Sequence, residues 1–452
     1  MSLSADPYVL SADKIKEPPH SFQGKLKFLG PGFILSASIV GSGELIATTA
    51  LGAEAGFITF WVIIISCIVK VMVQLEFGKH TILTGETAMQ AFNKLPGPRF
   101  GKAKWSVWTV LLVMVIKLLQ VGGIVGGVAI ILHMSTPLLN VTTYCFLVAI
   151  VVALMIFRGY YKFIESVSLG LIGFFTLFTI ASLYFLKFTP YAISWEHIWS
   201  GLQFHLPKTA LAVAFGAFGI TGVGGDEIIH YNYWCLEKGY ASYTGKNDNS
   251  EAWRQRAKGW IKVMQLDAVF AMCVYTAVTA CFYLLGAAVL HTQDTVMEGY
   301  GIIETLSTMY TESLGPNAKT AFLLGALVTL FSTLFAALAA WTRQLTDIFG
   351  QLGWIDFGNF SIRKRTVAIL AWVIPILWAV AFVFIQLPVM MVITGGIVGS
   401  FLLFLVVYAA FYFRYYRVNP HFKPNFLYDL LLWISILSIV AVGTLGIFKF
   451  FS

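Results

Sequence analysis

The sequence predicts an all-α integral membrane protein with eleven transmembrane helices. Of its 452 residues, 58% are hydrophobic and only 12% are charged, whereas about a quarter of the residues of a soluble domain are charged. The mean hydropathy is +0.78. Eleven apolar stretches are long enough to cross a bilayer, which takes about 20 residues, and the alternating pattern of a membrane β-barrel is absent from them. This composition excludes an ordinary soluble enzyme, a disordered protein and a secreted disulfide scaffold.

These stretches, called segments 1 to 11 below, lie at about 28–54, 56–77, 105–133, 140–157, 163–186, 208–236, 260–290, 317–345, 366–384, 388–414 and 426–449. Residues 1–27 are polar and lack the apolar run of a cleavable signal peptide, so we expect a cytoplasmic tail. Residues 28–452 then form a single transmembrane domain. The longest loop, about 237–259, is polar, and we expect it to be cytoplasmic and flexible.

The lysines and arginines predict the orientation. With the N-terminus inside, 23 of the 30 basic residues lie in cytoplasmic segments, and the outer segments hold Lys187, Lys208, Lys319 and Lys449. Cytoplasmic loops of membrane proteins carry such an excess. We therefore expect a multi-pass protein of the cell membrane with a cytoplasmic N-terminus and an extracytoplasmic C-terminus. The net charge of +8 then reflects the inner loops rather than a nucleic-acid partner, and no obligatory protein partner is evident.

Two segments contain glycine clusters followed by carboxylates. Segment 1 has two glycines just before Glu44, and segment 6 has four glycines just before Asp226 and Glu227. Each glycine disfavours a helix by about 1 kcal/mol relative to alanine, so both places are predicted to be unwound. Unwound backbone survives in a membrane only where protein or a water-filled cavity satisfies it, and a carboxylate at the midplane indicates a functional site. Alternatively, such glycines are close-packing positions between helices, which suits residues 122–127 of segment 3 better.

The spacing of the two breaks predicts an internal repeat. They lie five segments apart, and because five is odd, the second set of five enters the membrane from the opposite side. This is the pattern of an inverted repeat with two discontinuous helices that cross at the substrate site. Repeat one then covers about 28–186, repeat two about 208–414, and segment 11, about 426–449, is an addition.

The sequence resembles the Nramp family of divalent-metal transporters. The residues that carry the resemblance are Gly30-Pro31-Gly32-Phe33 before the first break, Gln74, Thr84-Gly85, Asp267 and Leu314-Gly315-Pro316. The resemblance extends over most of the chain. It implies the fold of the bacterial leucine transporter, with five plus five helices in inverted repeats, helices 1 and 6 discontinuous, and one extra C-terminal helix.

The site departs from the family pattern. The family motif Asp-Pro-Gly-Asn of the first break aligns with Gly41-Ser42-Gly43-Glu44, so its metal-binding Asp is replaced by Gly41 and its Asn by Glu44. In helix 6, anchored on Thr221 and His230, the family's methionine is replaced by Val223 and its Asn by Asp226. The chain thereby resembles the Nramp-related magnesium transporters, which lack the Asp-Pro-Gly-Asn motif.

This resemblance implies a site for hard cations. Carboxylates, carbonyls and water suit Mg²⁺ and Mn²⁺ better than a thioether does, and Mg²⁺ keeps several waters while using one or two carboxylates. The predicted binding groups are the Glu44 and Asp226 side chains with backbone carbonyls at Gly41, Ile220 and Gly224. Mg²⁺ or Mn²⁺ would be the substrate, moved by alternating access as a largely hydrated ion, and no cofactor is expected.

Other polar residues of the segments have more than one interpretation. The two acidic residues of the family's proton route in helix 3 are replaced by Gln120 and Gly123, so we expect little or no proton coupling. His230 is either a structural group or a gate or proton acceptor. Asp267 is either a cap or loop salt bridge, or part of an inner vestibule.

Lys70 and Lys117 lie within segments 2 and 3. They either extend towards the membrane surface or pair with carboxylates such as Glu54 or Glu76, and pairing is the default expectation.

Three other functions remain to be weighed. The fold also hosts carriers of small organic solutes, and carboxylates after both breaks would favour a cationic solute among these. Enzymatic motifs such as H-E-x-x-H, G-x-S-x-G and the P-loop are missing from the sequence, so an enzyme is not expected. A non-transporting sensor on a carrier fold would differ from the leading interpretation only in a flux assay.

Overall fold

The computed structural model describes residues 6–158, 161–291, 304, 307, 311, 315, 318–418, 420–422 and 426–451. Each of the eleven predicted segments contains helix. In chain order their principal helices are Pro31–Ile39 and Thr49–Ala55, Phe60–Val69 and Val71–Thr84, Trp105–Ser135, Val141–Ile156, Tyr161–Leu186, Leu211–Ile220 and Gly225–Lys238, Glu251–Leu285, Ala318–Leu352, Phe360–Ile385, Pro388–Tyr412 and Phe426–Phe451. A two-residue hairpin, with Arg99 opposite Lys104, precedes segment 3.

The described helices have the length and surface of membrane spans. Eight of them are long and apolar enough to cross a membrane, or nine if the bent pair of segment 1 counts as one span. Segment 4 is shorter, with 16 residues in Val141–Ile156. Large apolar side chains cover the outer surface, where Leu177 is 72% and Phe384 84% exposed. Such exposure is costly in water and is relieved by lipid.

Segment 1 is interrupted differently from the prediction. Instead of unwinding, residues Val40–Thr48 form a π-helix between Pro31–Ile39 and Thr49–Ala55. The axes of 31–39 and 44–55 differ by 44°. A π-helix keeps its backbone hydrogen bonds within the segment, which matters where lipid offers no partners. Gly41 also packs tightly, because a Cβ there would overlap the Thr333 side chain of segment 8.

Segment 6 is unwound as predicted. The helix Leu211–Ile220 ends at an extended Thr221, and the next helix begins at Gly225. Gly222 adopts φ +63°, a left-handed conformation that favours glycine. Close packing contributes as well, since a Cβ on Gly219 would lie 2.0 Å from the carbonyl oxygen of Gly396 in segment 10.

The glycine run of segment 3 is a packing surface, as predicted. A Cβ on Gly122 would approach the Trp378 carbonyl oxygen to 2.9 Å, and one on Gly126 would overlap the ring of Phe382. Segment 3 accordingly packs along segments 8, 9 and 10. These glycines let the backbones approach closely and carry no chemistry of their own.

The loop at 237–259 is not the flexible segment that its polarity suggests. It contains the helix Tyr240–Thr244 and the first turns of Glu251–Leu285, which begins nine residues before the predicted start of segment 7. Tyr240 and Trp253 are buried. These aromatic side chains anchor the loop to the bundle. The prediction was wrong because polar residues outnumber them in this stretch of the sequence.

The N-terminal tail is also packed onto the protein. Asp6 forms an ion pair with Arg363 of segment 9, and the Tyr8 hydroxyl donates to Glu237 Oε1 over 2.9 Å. Glu237, at the end of segment 6, is in turn held by Arg343 of segment 8 through two hydrogen bonds. The tail thus connects segments 6, 8 and 9.

Candidate functional site

Glu44 is the central group of the first break. Its side chain is inaccessible and lies in the π-helix of segment 1. One carboxylate oxygen, Oε1, accepts from the Thr279 hydroxyl of segment 7 over 2.9 Å and from the Gly222 amide over 3.3 Å. The other oxygen, Oε2, is buried and has no hydrogen-bond partner among the residues that the structure describes. Glu44 therefore links the break of segment 1 to the break of segment 6 and keeps one acceptor free.

Asp226 occupies the corresponding place after the second break. It lies in the first turn of Gly225–Lys238, where a helix N-terminus favours negative charge. Its Oδ2 forms a buried ion pair with Lys117 Nζ of segment 3. Its Oδ1 is buried and has no hydrogen-bond partner in the described part of the chain. The prediction that Lys117 is paired is confirmed, but its partner is Asp226 and not Glu54 or Glu76. Glu76 instead pairs with Lys79, three residues further along the helix.

Lys70 reaches the break of segment 6 from segment 2. The helix of segment 2 is interrupted at Lys70, whose side chain is fully buried. Its Nζ donates to the carbonyl oxygens of Phe218 and Thr221, each over 2.6 Å. The predicted carboxylate partner was wrong here, because the ends of a broken helix present unpaired carbonyls that the sequence pattern of segment 2 does not reveal.

The predicted backbone ligands lie around these groups. Ile220 is buried, and in the sequence it lies between Phe218 and Thr221, whose carbonyls bind Lys70. The carbonyl of Gly224 accepts the first backbone hydrogen bond of the following helix, from Ile228 over 3.0 Å. Gly41 is packed against segment 8. Binding of a cation to these three carbonyls stays a prediction.

Five charged groups form one electrostatic cluster at the breaks. Glu44 interacts with Lys70 and Glu227, and Glu227 interacts with Lys117, Asp226 and Lys70. The cluster therefore combines three carboxyl groups with two amino groups, all close to the two breaks.

His230 has a structural partner. It is buried, and its Nε2 lies 2.7 Å from Oε1 of Gln344 in segment 8. It follows Asp226 by one helical turn and interacts with it electrostatically. This contact supports the structural interpretation, and a role as gate or proton acceptor stays a prediction.

Asp267 caps the first helix. Its Oδ1 accepts from the Gly30 amide over 2.7 Å and its Oδ2 from the Gly32 amide over 2.6 Å. Tyr231 also donates to Oδ2, over 3.1 Å. The capping contact is present: the carboxylate satisfies amides at the N-terminus of Pro31–Ile39 that no helical carbonyl can reach. A role in an inner vestibule stays a prediction.

Gln120 adds a further free oxygen. It lies three residues after Lys117 on segment 3, and its Oε1 is buried without a partner. In the part of the chain that the structure describes, no three His, Cys, Asp or Glu side chains are grouped closely enough to hold a metal ion. The oxygens available near the breaks are therefore single atoms from separate segments.

Sequence reasoning missed one group of charges outside the membrane-spanning segments. Glu86, just after segment 2, contacts His80 over 3.1 Å, Lys94, and Arg417 over 2.9 Å. Burial alone would raise the pKa of Glu86, but the hydrogen bonds from His80 and Lys94 outweigh it and lower the pKa from 4.5 to about 2. The basic residues were recognised as inner-loop charges, while nothing in the spacing links residue 86 to residue 417.

Two interrupted segments, each with a buried carboxylate, are typical of membrane carriers that bind their substrate between discontinuous helices. Comparisons with known proteins agree with this class. A sequence model of the Nramp family, described as natural resistance-associated macrophage protein-like, matches residues 32–449. The chain therefore belongs to the Nramp family. It is a membrane transporter and not an enzyme.

Individual relatives agree with this assignment. The chain is 24% identical over 318 residues to the divalent metal cation transporter MntH of Caldanaerobacter subterraneus subsp. tengcongensis, covering 68% of each chain. It is 24% identical over 370 residues to MntH of Yersinia enterocolitica, covering 80% of this chain and 81% of the relative.

Solved structures confirm the fold. The manganese transporter of Eremococcus coleocola, in complex with an aromatic bis-isothiourea compound, superposes with a TM-score of 0.69 at 18% identity, covering 99% of this chain and 90% of that one. A nucleobase-cation-symport-1 family transporter with bromovinylhydantoin bound gives a TM-score of 0.58 at 15% identity, covering 93% and 90%. The predicted all-α, leucine-transporter-like architecture is confirmed.

Proposed function

We propose that this protein carries divalent cations across the cell membrane by alternating access, with Mg²⁺ as the main cargo and Mn²⁺ as a second one. The observation that carries the proposal is the pair of free oxygens at the two breaks, Oε2 of Glu44 and Oδ1 of Asp226. A buried carboxylate oxygen without a partner costs free energy. A cation that binds there would remove this cost.

The relatives support transport of a divalent metal. The matched MntH proteins are named divalent metal cation transporters, and the superposed Eremococcus coleocola protein is a manganese transporter. Transfer of that activity to this chain rests on family membership together with the carboxyl groups at the two breaks.

The chemistry of the breaks favours a hard ion. Val223 stands where the family has a methionine, so the soft thioether is absent, and carboxylates stand in both breaks. Oxygen ligands suit Mg²⁺ and Mn²⁺. Because Mg²⁺ retains most of its water and uses one or two carboxylates, Glu44 and Asp226 suffice as charged ligands, with carbonyls at Gly41, Ile220 and Gly224 as further candidates.

The ion pair adds a step to binding. Lys117 holds one oxygen of Asp226, so an arriving divalent ion either uses Oδ1 alone or displaces the ammonium group. Displacement would exchange one positive charge for two at Asp226 and leave Lys117 to interact with Glu227. We infer that Lys117 restrains Asp226 when the cation is absent.

We also propose that proton coupling is weak or absent. The acidic residues of the family's route in segment 3 are replaced by Gln120 and Gly123. His230 is hydrogen-bonded to Gln344, and Asp267 caps a helix. A proton relay needs titratable groups in series, and His230 and Asp267 are both engaged in these structural contacts.

A second candidate cargo is a small organic cation. One observation favours it, namely that an alkylammonium group, the end of Lys117, already binds Asp226 inside the bundle. An amine substrate would make the same contact. The two candidates are discriminated by whether Mg²⁺ and Mn²⁺ or an amine is transported.

The test is flux into liposomes that contain the purified protein, an internal Mg²⁺ indicator and a pH dye. We expect Mg²⁺ entry without a change in internal pH. Glu44→Gln should lower the flux at least about tenfold, the scale on which mutations around metal ligands act. Glu54→Gln is the matched control, because Glu54 lies ten residues later in the same segment at an exposed position and should leave the flux unchanged.

Equal loss in both variants, or full flux in Glu44→Gln, would contradict the proposed site. Internal acidification during Mg²⁺ entry would contradict uncoupled transport. If neither Mg²⁺ nor Mn²⁺ enters while a radiolabelled amine does, the organic-cation candidate replaces the first.

A further inference from the structure

The carbonyl groups at the end of the first half of segment 6 form an acceptor cluster. The last carbonyls of Leu211–Ile220 have no helical donors, because the backbone turns away at Thr221. The C-terminal end of a helix also carries partial negative charge. In carriers with broken helices, such half-helix ends and unwound carbonyls are where monovalent cations bind.

In this protein a side chain fills that position. Lys70 Nζ lies 2.6 Å from the carbonyl oxygens of both Phe218 and Thr221, and 4.9 Å from the centroid of the Phe218 ring. Such a distance permits a cation–π interaction. The lysine side chain is completely inaccessible, so solvent does not compete for these contacts.

A second side chain completes the cluster. Ser66, one helical turn before Lys70, places its hydroxyl oxygen 3.1 Å from the same two carbonyls. The Thr221 hydroxyl donates to Ser66 Oγ over 2.8 Å. The two carbonyls that bind the Lys70 ammonium group therefore also accept from the Ser66 hydroxyl. Backbone carbonyl oxygens are the direct ligands of this buried cationic group, as they are for monovalent cations at broken helices.

We propose that the ammonium group of Lys70 is a tethered replacement for a monovalent cation, so that the break of segment 6 is held without Na⁺ or K⁺. Removing the side chain while leaving its space should create a binding site for a small monovalent cation. The inference concerns the architecture of the break and holds whichever substrate the protein transports.

The experiment measures the thermal unfolding midpoint of the full-length protein in detergent. Choline chloride, NaCl, NH₄Cl and methylammonium chloride are compared at equal ionic strength. The wild-type midpoint should be the same in all four salts. Lys70→Ala should unfold at a lower temperature in choline chloride and recover at least half of the loss, saturably, in NaCl or in one of the ammonium salts.

Two further variants separate charge from volume and from hydrogen bonding. Lys70→Met fills the space without a charge, so it should stay destabilised in every salt. Lys70→Gln keeps two hydrogen-bond donors without the charge, so it should be less stable than wild type in choline chloride. If Lys70→Gln matched wild type there, hydrogen bonding alone would suffice and the proposal would be overturned.

Other outcomes also count against it. These are a saturable stabilisation of the wild type by Na⁺, a Lys70→Ala midpoint that is identical in all salts, and a Lys70→Ala protein that remains unfolded in every salt. Because the midpoint is read without transport, its failure is distinguishable from failure of the proposed cation transport.

Discussion

Lys117 and Asp226 form an ion pair inside the transmembrane bundle, where their side chains are each 6% exposed. A buried pair of this kind often contributes little net stability compared with an apolar pair, while loss of one partner leaves a buried charge uncompensated. The pair is thus a poor device for holding the fold together. In the proposed transport cycle, its role is to neutralise Asp226 when the cation is absent.

Truncation of Lys117 should therefore destabilise the protein strongly. Lys117→Ala leaves Asp226 with no ammonium partner, and breaking a buried ion pair costs about 3–5 kcal/mol. The thermal unfolding midpoint in detergent without divalent ions should fall accordingly. Added Mg²⁺ should raise the midpoint more in the variant than in wild type, since the ion no longer competes with lysine.

The double variant Lys117→Met with Asp226→Asn is the control. It removes both charges, so it should be closer to wild type in stability than Lys117→Ala, and Mg²⁺ should no longer raise its midpoint. A Lys117→Ala protein as stable as wild type would show that Asp226 is not compensated by this lysine.

At the scale of elements, segments 1 and 7 are joined by a cap. Asp267 accepts from two amides at the start of Pro31–Ile39, which fixes the end of segment 1 that lies farthest along the chain from Glu44. A cap at the N-terminus of a helix stabilises that helix. Both carboxylate oxygens of Asp267 are engaged in this arrangement.

The Asp267→Ala variant should reveal the cap. Hydrogen bonds to a charged group contribute about 1.5–3 kcal/mol each, so the unfolding midpoint should fall clearly. The apparent affinity for the transported cation, measured as the KM of flux at a temperature where the variant is folded, should stay within about threefold of wild type. A large rise in KM with little loss of stability would instead indicate the inner-vestibule role.

The elements differ in how far the sequence predicts them. Apolar length located all eleven segments, and the glycines before Asp226 located the unwound stretch of segment 6. The π-helix of segment 1 was not predicted, because the glycines there indicate unwinding equally well. Its neighbour Thr333, against which Gly41 packs, lies nearly 300 positions away and cannot be identified from the sequence.

The same limit applies to the site. The two carboxylates after the breaks could be recognised in the sequence, because charge inside a membrane is rare. Their side-chain partners could not, since Thr279 and Lys117 come from two other segments and reach Glu44 and Asp226 only in the folded bundle.

At the scale of the whole molecule, the cluster around Glu86 connects the end of segment 2, the following loop and the end of segment 10. The pKa of Glu86 is lowered to about 2, so the folded state favours its ionised form. Its contribution to stability is complete above the usual pKa of 4.5 and declines as the pH falls from 4.5 towards 2.

Replacement by Glu86→Gln should reproduce that loss at neutral pH. The unfolding midpoint of the variant should lie below that of wild type at pH 7, and the gap should narrow steadily between pH 4.5 and pH 3. Midpoints measured in detergent across this range provide the check. A gap that is unchanged at pH 3 would mean that the ionised form of Glu86 is not what stabilises the cluster.

The orientation of the whole chain is open to a direct measurement. From the charge distribution we expect Lys208 outside and Lys246 inside, and both are exposed positions. In intact cells, a membrane-impermeant maleimide should label Lys208→Cys, and it should reach Lys246→Cys only after permeabilisation. The reverse pattern would invert the predicted topology, and wild type serves as the control for the native cysteines.

The π-helix at Val40–Thr48 has a mechanical consequence. A π-helical turn accommodates more residues than an α-helical one, and each residue of an α-helix advances the chain by about 100° around its axis. Conversion of this stretch to α-helix would therefore rotate one end of segment 1 against the other. Asp267 fixes the first end, and Gly52 packs against Gly286 at the second. The rotation would therefore be taken up by the residues between these two contacts, and it would move the Glu44 side chain around the helix axis.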